Sequence, residues 1–261
     1  MKYIDIHSHL NLPQFDVDRE EVIQKLKDED IVTITVGANY ETSLIALELA
    51  NKHENLYASA GLHPSEVLIE EFNYEKMLTL SKEERVVSIG ECGLDYFREN
   101  DEAFKIKQKE IFHLHVKLAL EVSKPLMIHA RPSGKTMDAY EDVLDILESY
   151  KKDKESLMAN FHFFSGGIEI AKRVLSLGFT LSFDGPITFS NDYDEVIKMT
   201  PIKSIMAETD SPFAAPVPYR GKRAEPYMVK EVIKKIAELK GLSNEETIDI
   251  MNNNAKKVFG F

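Results

Sequence analysis

The stretch Tyr3-Ile4-Asp5-Ile6-His7-Ser8-His9-Leu10 is an alternating apolar run that ends in two histidines spaced i, i+2. In an extended strand, residues two apart point to the same face, so both imidazoles can reach one ion. Imidazole is the commonest neutral ligand for zinc-like metals, and two from one strand end supply half of a tetrahedral site. A histidine-bearing surface strand would read the same way in isolation. The rest of the chain has to decide.

Outward from that strand, a strand-then-helix rhythm repeats. Strand-like runs lie at Tyr3–Ile6, Ile31–Val36, Leu56–Ala60, Val86–Ile89, Leu126–Ile128, Leu157–Phe161, Phe179–Ser182 and Ser204–Ala207. Between them, apolar residues recur at helical spacing over Arg19–Leu26, Leu44–His53, Glu102–Val122, Met137–Leu147 and Ile168–Leu177. Met228–Leu239 follows Pro226, and Glu245–Phe259 is opened by Ser243 as a cap. Eight short apolar strands alternating with helices predict a parallel α/β sheet, and eight such units close a TIM-type (β/α)8 barrel. A doubly wound open sheet is the alternative. No internal repeat, low-complexity tract or linker divides the 261 residues, so 1–261 is expected to form a single domain.

Composition narrows the class. A hydrophobic fraction of 43% is ordinary for a globular protein with a sizeable core. No run of eighteen apolar residues exists, and no charged-then-apolar leader precedes the first strand, so a soluble, cytoplasmic protein is expected. One cysteine, Cys92, excludes an internal disulfide and a Cys-x-x-Cys metal site, in keeping with a reducing compartment. The net charge of −12 argues against broad adhesion to nucleic acid or anionic membrane. It does not exclude a phosphate substrate held in a cleft by metal ions and a few local arginines.

The polar residues fall at strand ends. His7 and His9 end the first strand, and Gly61-Leu62-His63-Pro64 follows the third. Gly90-Glu91-Cys92-Gly93-Leu94-Asp95 follows the fourth, His129 and Arg131 end the fifth, His162 ends the sixth and Glu208-Thr209-Asp210 ends the eighth. In a parallel barrel the C-terminal strand ends converge on one face, where active sites are built. His7, His9, Glu91, His129, His162 and Asp210 are more ligands than one catalytic zinc uses. They suit two divalent ions about 3.5–4 Å apart with a carboxylate between them, Glu91 or Asp210. Water held by two cations is acidic enough to attack at neutral pH, so hydrolysis is the expected chemistry.

At this point the motifs resemble a known family. Asp5-Ile6-His7-Ser8-His9-Leu10, Gly61-Leu62-His63-Pro64, Ile89-Gly90-Glu91-Cys92-Gly93-Leu94-Asp95-Tyr96 and Ile128-His129-Ala130-Arg131 resemble successive signatures of TatD metal-dependent hydrolases. Phe161-His162-Phe163-Phe164-Ser165-Gly166, Glu208-Thr209-Asp210-Ser211-Pro212, Arg220-Gly221-Lys222-Arg223-Ala224-Glu225-Pro226 and Asn254-Ala255 continue the match in order. The resemblance implies a TIM barrel of the amidohydrolase superfamily and a metal-dependent deoxyribonuclease, a 3′→5′ exonuclease acting on single strands or 3′ ends. It implies that His7, His9 and Asp210 hold a first ion, that His129 and His162 hold a second, and that Glu91 bridges them. Asp210 would be the general base, with Glu91 also catalytic, and His63 and Arg131 would hold phosphate oxygens. Asn11 stands where many members carry Asp, and Ala224 where Asn is usual; substrate preference is what these departures touch.

Other readings stand beside that one. The same metals could serve hydrolysis of a non-nucleic ester, amide or aminoacyl bond, since one barrel supports many chemistries. The ions could be zinc, manganese, iron, nickel or magnesium, because the mixed donor set admits all of them. His113 and His115 repeat the i, i+2 spacing inside a helical segment, where residues two apart diverge and cannot share an ion. His53 reads as the exposed end of a helix, and Cys92 as a small core residue. Pro212, Pro216 and Pro218 stiffen a loop in which Arg220, Lys222 and Arg223 offer positive charge to a DNA backbone. No feature points to an obligate protein partner or a membrane.

Overall fold

All eight apolar runs become strands, and each pairs in parallel with the next in chain order. The computed structural model describes residues 2–98 and 101–261. The strands are β1 (Tyr3–Ser8), β2 (Ile31–Val36), β3 (Leu56–Ala60), β4 (Val86–Asp95), β5 (Leu126–Arg131), β6 (Ala159–Phe161), β7 (Thr180–Phe183) and β8 (Ile205–Ala207). Past β8 the chain turns back onto β1: the Asp210 N–H donates to the His7 carbonyl at 2.9 Å and the His9 N–H to the Ser211 carbonyl at 2.7 Å. A nearly closed TIM-type (β/α)8 barrel results, as the eightfold alternation predicts.

The helices are α1 (Arg19–Asp28), α2 (Tyr40–Lys52), α3 (Tyr74–Ser81), α4 (Glu102–Val122), α5 (Asp138–Lys151), α6 (Ile168–Ser176), α7 (Asp194–Met199), α8 (Val229–Lys240) and α9 (Asn244–Phe259). Ser243 caps α9 as its sequence suggests, in a reciprocal box with Glu246. Apolar faces of the helices pack on the outward side chains of the strands, among them Ile31, Leu56, Ile89, Cys92 and Leu126. A second apolar cluster fills the lower barrel: Ile4, Ile6, Val32, Ile34, Val36, Val87, Met127 and Met206 meet Ala255 and Phe259 of α9. Side chains of this size contribute roughly 1.5–3 kcal/mol each when fully buried. The lower barrel is therefore largely apolar, and the histidines and carboxylates of the strand ends gather above it.

Two bulges aim the site. The β1–β2 register slips by one residue between Asp5 and Ser8, so Ile4 and Ile6 face the apolar interior while His7 and His9 also turn inward above them. The β4–β5 register slips between Ile89 and Cys92, leaving Ile89, Cys92 and Leu94 all on the outer side and Glu91 inside. Gly93 has φ +136°, and a Cβ there would lie 2.0 Å from the His129 carbonyl oxygen, so only glycine lets β4 approach β5 this closely.

Several strands run further than apolar periodicity suggests. β1 continues to Ser8, β4 to Asp95 and β5 to Arg131, because the backbone ladder persists (Asp95 opposite Arg131) after the side chains turn polar. His53 also differs from expectation. It ends α2 but is buried at 7% exposure, with its Nε2 3.4 Å from Glu20 Oε2, because the helix end packs down onto α1. Cys92 is fully buried, as expected.

Candidate metal centre

The C-terminal ends of β1, β5, β6 and β8 bring His7, His9, His129, His162 and Asp210 around the Glu91 carboxylate of β4, six of the eight expected site residues in all. His7 Nε2 lies 3.2 Å from His9 Nε2, 3.6 Å from Glu91 Oε2 and 3.7 Å from Asp210 Oδ1. His9 Nε2 lies 3.7 Å from Glu91 Oε2 and 3.4 Å from Asp210 Oδ1. Ligand arms of zinc length set at tetrahedral angles give edges of about 3.3 Å, so His7, His9 and Glu91 fit one divalent cation, with Asp210 beside the two imidazoles. The other oxygen of the same carboxylate serves a separate set. Glu91 Oε1 is 2.8 Å from His129 Nδ1 and 2.8 Å from His162 Nε2, and those two nitrogens are 3.4 Å apart. His63 Nε2 joins this side, 3.4 Å from Glu91 Oε1.

Behind the imidazoles stand groups that fix their tautomers. His9 Nδ1–H donates to the Val36 carbonyl at 2.9 Å, which leaves its Nε2 lone pair facing the cluster. Asp95 Oδ2 stands 3.1 Å from His129 Nε2, and Glu208 Oε1 stands 3.4 Å from His162 Nδ1. Glu208 is itself held, accepting from the Phe163 N–H and from the Ser182 hydroxyl. Asp5, fully buried below, accepts from the Thr209 N–H and hydroxyl and ties β1 to the chain beyond β8.

The electrostatics are those of buried charge needing compensation. Burial would raise Glu91, but the neighbouring imidazoles of His162, His63 and His129 hold its carboxylate well below the usual range. Burial would lower His162, but Glu91 and Glu208 raise it well above an ordinary imidazole. His7 is lowered by burial and by His162, whose ring stacks on it at 3.9 Å. Asp184, which follows β7, is pushed well up by burial and by Glu208 and Asp210. Buried carboxylates in such number are costly unless balanced by positive charge. A divalent cation supplies it while displacing protons from the imidazoles.

Residues 4–260 match the family described as TatD related DNase. The chain belongs to this family. A relative from Bacillus subtilis named as the metal-dependent hydrolase YabD is 41% identical over 259 residues, spanning 98% of each chain. Another from Methanocaldococcus jannaschii, the metal-dependent hydrolase MJ1582, is 35% identical and spans 99% of this chain and 97% of its own. Among solved structures, the TatD homologue YjjV of Escherichia coli superposes with a TM-score of 0.87 at 26% identity, covering 100% of this chain and 98% of that one. This TatD protein is thus a metal-dependent hydrolase.

Arg131, the eighth expected site residue, does not touch the cluster: its guanidinium carbon rests 4.0 Å above the ring of Phe97. In the loop after β8, Arg223 is held by Asp18 at 2.6 Å and by Glu225 at 3.3 Å, whereas Arg220 lies over Phe189. Asn11 bonds the Val36 and Thr42 carbonyls, a structural role that also explains its burial. Sequence reading passed over Asp95, Glu208 and Asp184. Strand parity carried a signal for two of them, because Asp95 shares the face of Glu91, and Glu208 lies two residues before Asp210.

Among the described residues no helix is long and apolar enough to cross a membrane.

Proposed function

We propose that this protein, with residues 1–261 acting as a single domain, is a two-metal phosphodiesterase that cleaves DNA from 3′ ends of unpaired strands. His7, His9 and Asp210 would hold one ion, His129 and His162 the other, and Glu91 would bridge them. The observation that carries the reading is the division of Glu91: Oε2 faces His7 and His9, while Oε1 faces His129 and His162. Bound there, divalent ions supply positive charge to the phosphoryl oxygens as negative charge builds on them. Asp210 accepts the proton of the attacking water; burial pushes its carboxyl up, but the hydrogen bond from His9 and the nearby imidazoles of His7, His9 and His162 hold it below its ordinary pKa, ionised and ready to do so. His63 turns its Nε2 toward the cluster while Ser65 holds its Nδ1, which suits it to orient a phosphate oxygen.

The test is a gel assay on 5′-labelled single-stranded DNA. The protein is stripped with chelator and reloaded with magnesium, manganese or zinc, with Glu91→Ala alongside. A metal-dependent ladder shortening from the 3′ end, absent in the variant, is expected. Intact DNA with every metal would reject the nuclease reading. A second reading has one observation in its favour, the net charge of −12, which suits a neutral ester or aminoacyl substrate better than a polyanion. Turnover of carboxyl esters far exceeding that of DNA would select it.

A further inference from the structure

Of the fourteen phenylalanines, three are well exposed among the described residues: Phe97 at 57%, Phe189 at 43% and Phe213 at 48%. All three lie on loops leaving the C-terminal ends of strands, Phe97 after β4, Phe189 after β7 and Phe213 after β8. In an eight-stranded barrel β4 stands opposite β8, so Phe97 faces the other two across the mouth, with the carboxylate–imidazole cluster between them. The Phe213 ring meets the edge of His9 at 6.2 Å, directly beside that cluster.

The cations decide what these rings suit. Arg131 lies over Phe97 with its guanidinium carbon 4.0 Å from the ring centroid, and Arg220 lies over Phe189 at 3.6 Å. Neither has a carboxylate partner among the described residues, whereas Arg223 in the same loop as Arg220 is bound to Asp18 and Glu225. A ring that carries an unpaired guanidinium on one face and is still about half exposed offers stacking on its other face and a phosphate contact together. That pairing is what a nucleotide presents to a protein.

We infer that Phe97 with Arg131 and Phe189 with Arg220 are two nucleobase platforms flanking the metal centre, which grip an unpaired strand by its bases on both sides of the bond to be cut. The inference rests on the phosphodiesterase reading and adds to it. Paired bases bury their faces in the duplex stack and cannot reach either ring, so the platforms select single strands. They also explain how an acidic protein holds a polyanion: part of the grip is stacking, which does not depend on net charge.

The experiment compares two phosphorothioate-linked dodecamers, oligo-dT and a base-free strand of the same length, each 5′-labelled and bound to the metal-loaded protein in a fluorescence anisotropy titration. Cleavage of the ordinary phosphodiester versions is followed in parallel. The expected preference for the base-bearing strand is about five- to a hundredfold per platform. Phe97→Ala and Phe189→Ala should each remove one such factor from oligo-dT binding while leaving base-free binding as it was, and Phe97→Trp should restore it. Equal affinity for the two strands, or an alanine variant that weakens both alike, overturns the platforms. If the strands are still cut in that case, the phosphodiesterase reading survives without them. A protein that neither binds nor cuts either strand overturns both.

Discussion

Two pairs of histidines share the spacing i, i+2 in this chain and have opposite fates. His7 and His9 sit at the end of a strand, where alternation puts both on one face, and their Nε2 atoms come within 3.2 Å of each other. His113 and His115 sit in α4, where two residues make a turn of about 200° and the rings part. His113 faces Tyr150 with its Nδ1 3.0 Å from the hydroxyl. His115 goes into the core, donating from Nδ1 to the Ile111 carbonyl and accepting at Nε2 from the Leu62 N–H. Spacing alone is therefore not a ligand signal; spacing on a known element is. The helical pair is still useful, because His115 holds the backbone of the turn that presents His63 to the cluster.

The comparison can be broken at either pair. His9→Ala should lower metal-dependent hydrolysis by at least about a hundredfold, the scale on which one electrostatic stabiliser of a transition state is felt. Metal content should fall with it, and initial rates with metal analysis check both. Asp95→Asn sharpens the claim by removing the charge behind His129, at the expense of the Asp95–Arg98 pair as well. Loss of such an outer partner costs about 10–100-fold in metal affinity or activity, read from a metal titration of the variant.

The helical pair predicts changes in stability. Burial pushes His115 down to about 4, so it stays neutral in the fold, while the unfolded chain takes a proton near 6.5. The unfolded state binds more protons between these values, so stability is full above pH 6.5 and falls as pH drops toward 4. The loss over that window is about 3 kcal/mol, visible in urea unfolding at pH 7 and pH 4.5. His115→Gln should flatten the dependence. His113→Ala is the smallest change: at most about 1 kcal/mol in urea unfolding, from one half-buried hydrogen bond, with hydrolysis unaffected.

How much of this was legible in advance follows from the same physics. The barrel could be read because a parallel strand buried on both faces must be almost wholly apolar, as Ile31–Val36 is. His7, His9, Glu91, His129, His162 and Asp210 could be read because each interrupts or ends such a run with a group too polar to bury without a partner. Asp95 and Glu208 lay in the same motifs but act through His129 and His162, and residue type does not distinguish a ligand from its support. The two bulges left no mark, since one unpaired residue in β1 or β4 changes which side chains face inward without changing composition. Nor could pairing on the surface be foreseen. Arg223 finds Asp18, which lies far away in sequence, and is thereby withdrawn from the basic cluster that the loop sequence suggests.

The most direct test of the central claim is a metal count. Protein stripped by chelator is reloaded with manganese or zinc, freed of excess and analysed for metal per chain, native beside Glu91→Ala. Two ions per native chain and no more than one in the variant, with DNA cleavage lost, are what a carboxylate shared between two donor sets requires. Two ions and undiminished cleavage in Glu91→Ala would contradict it.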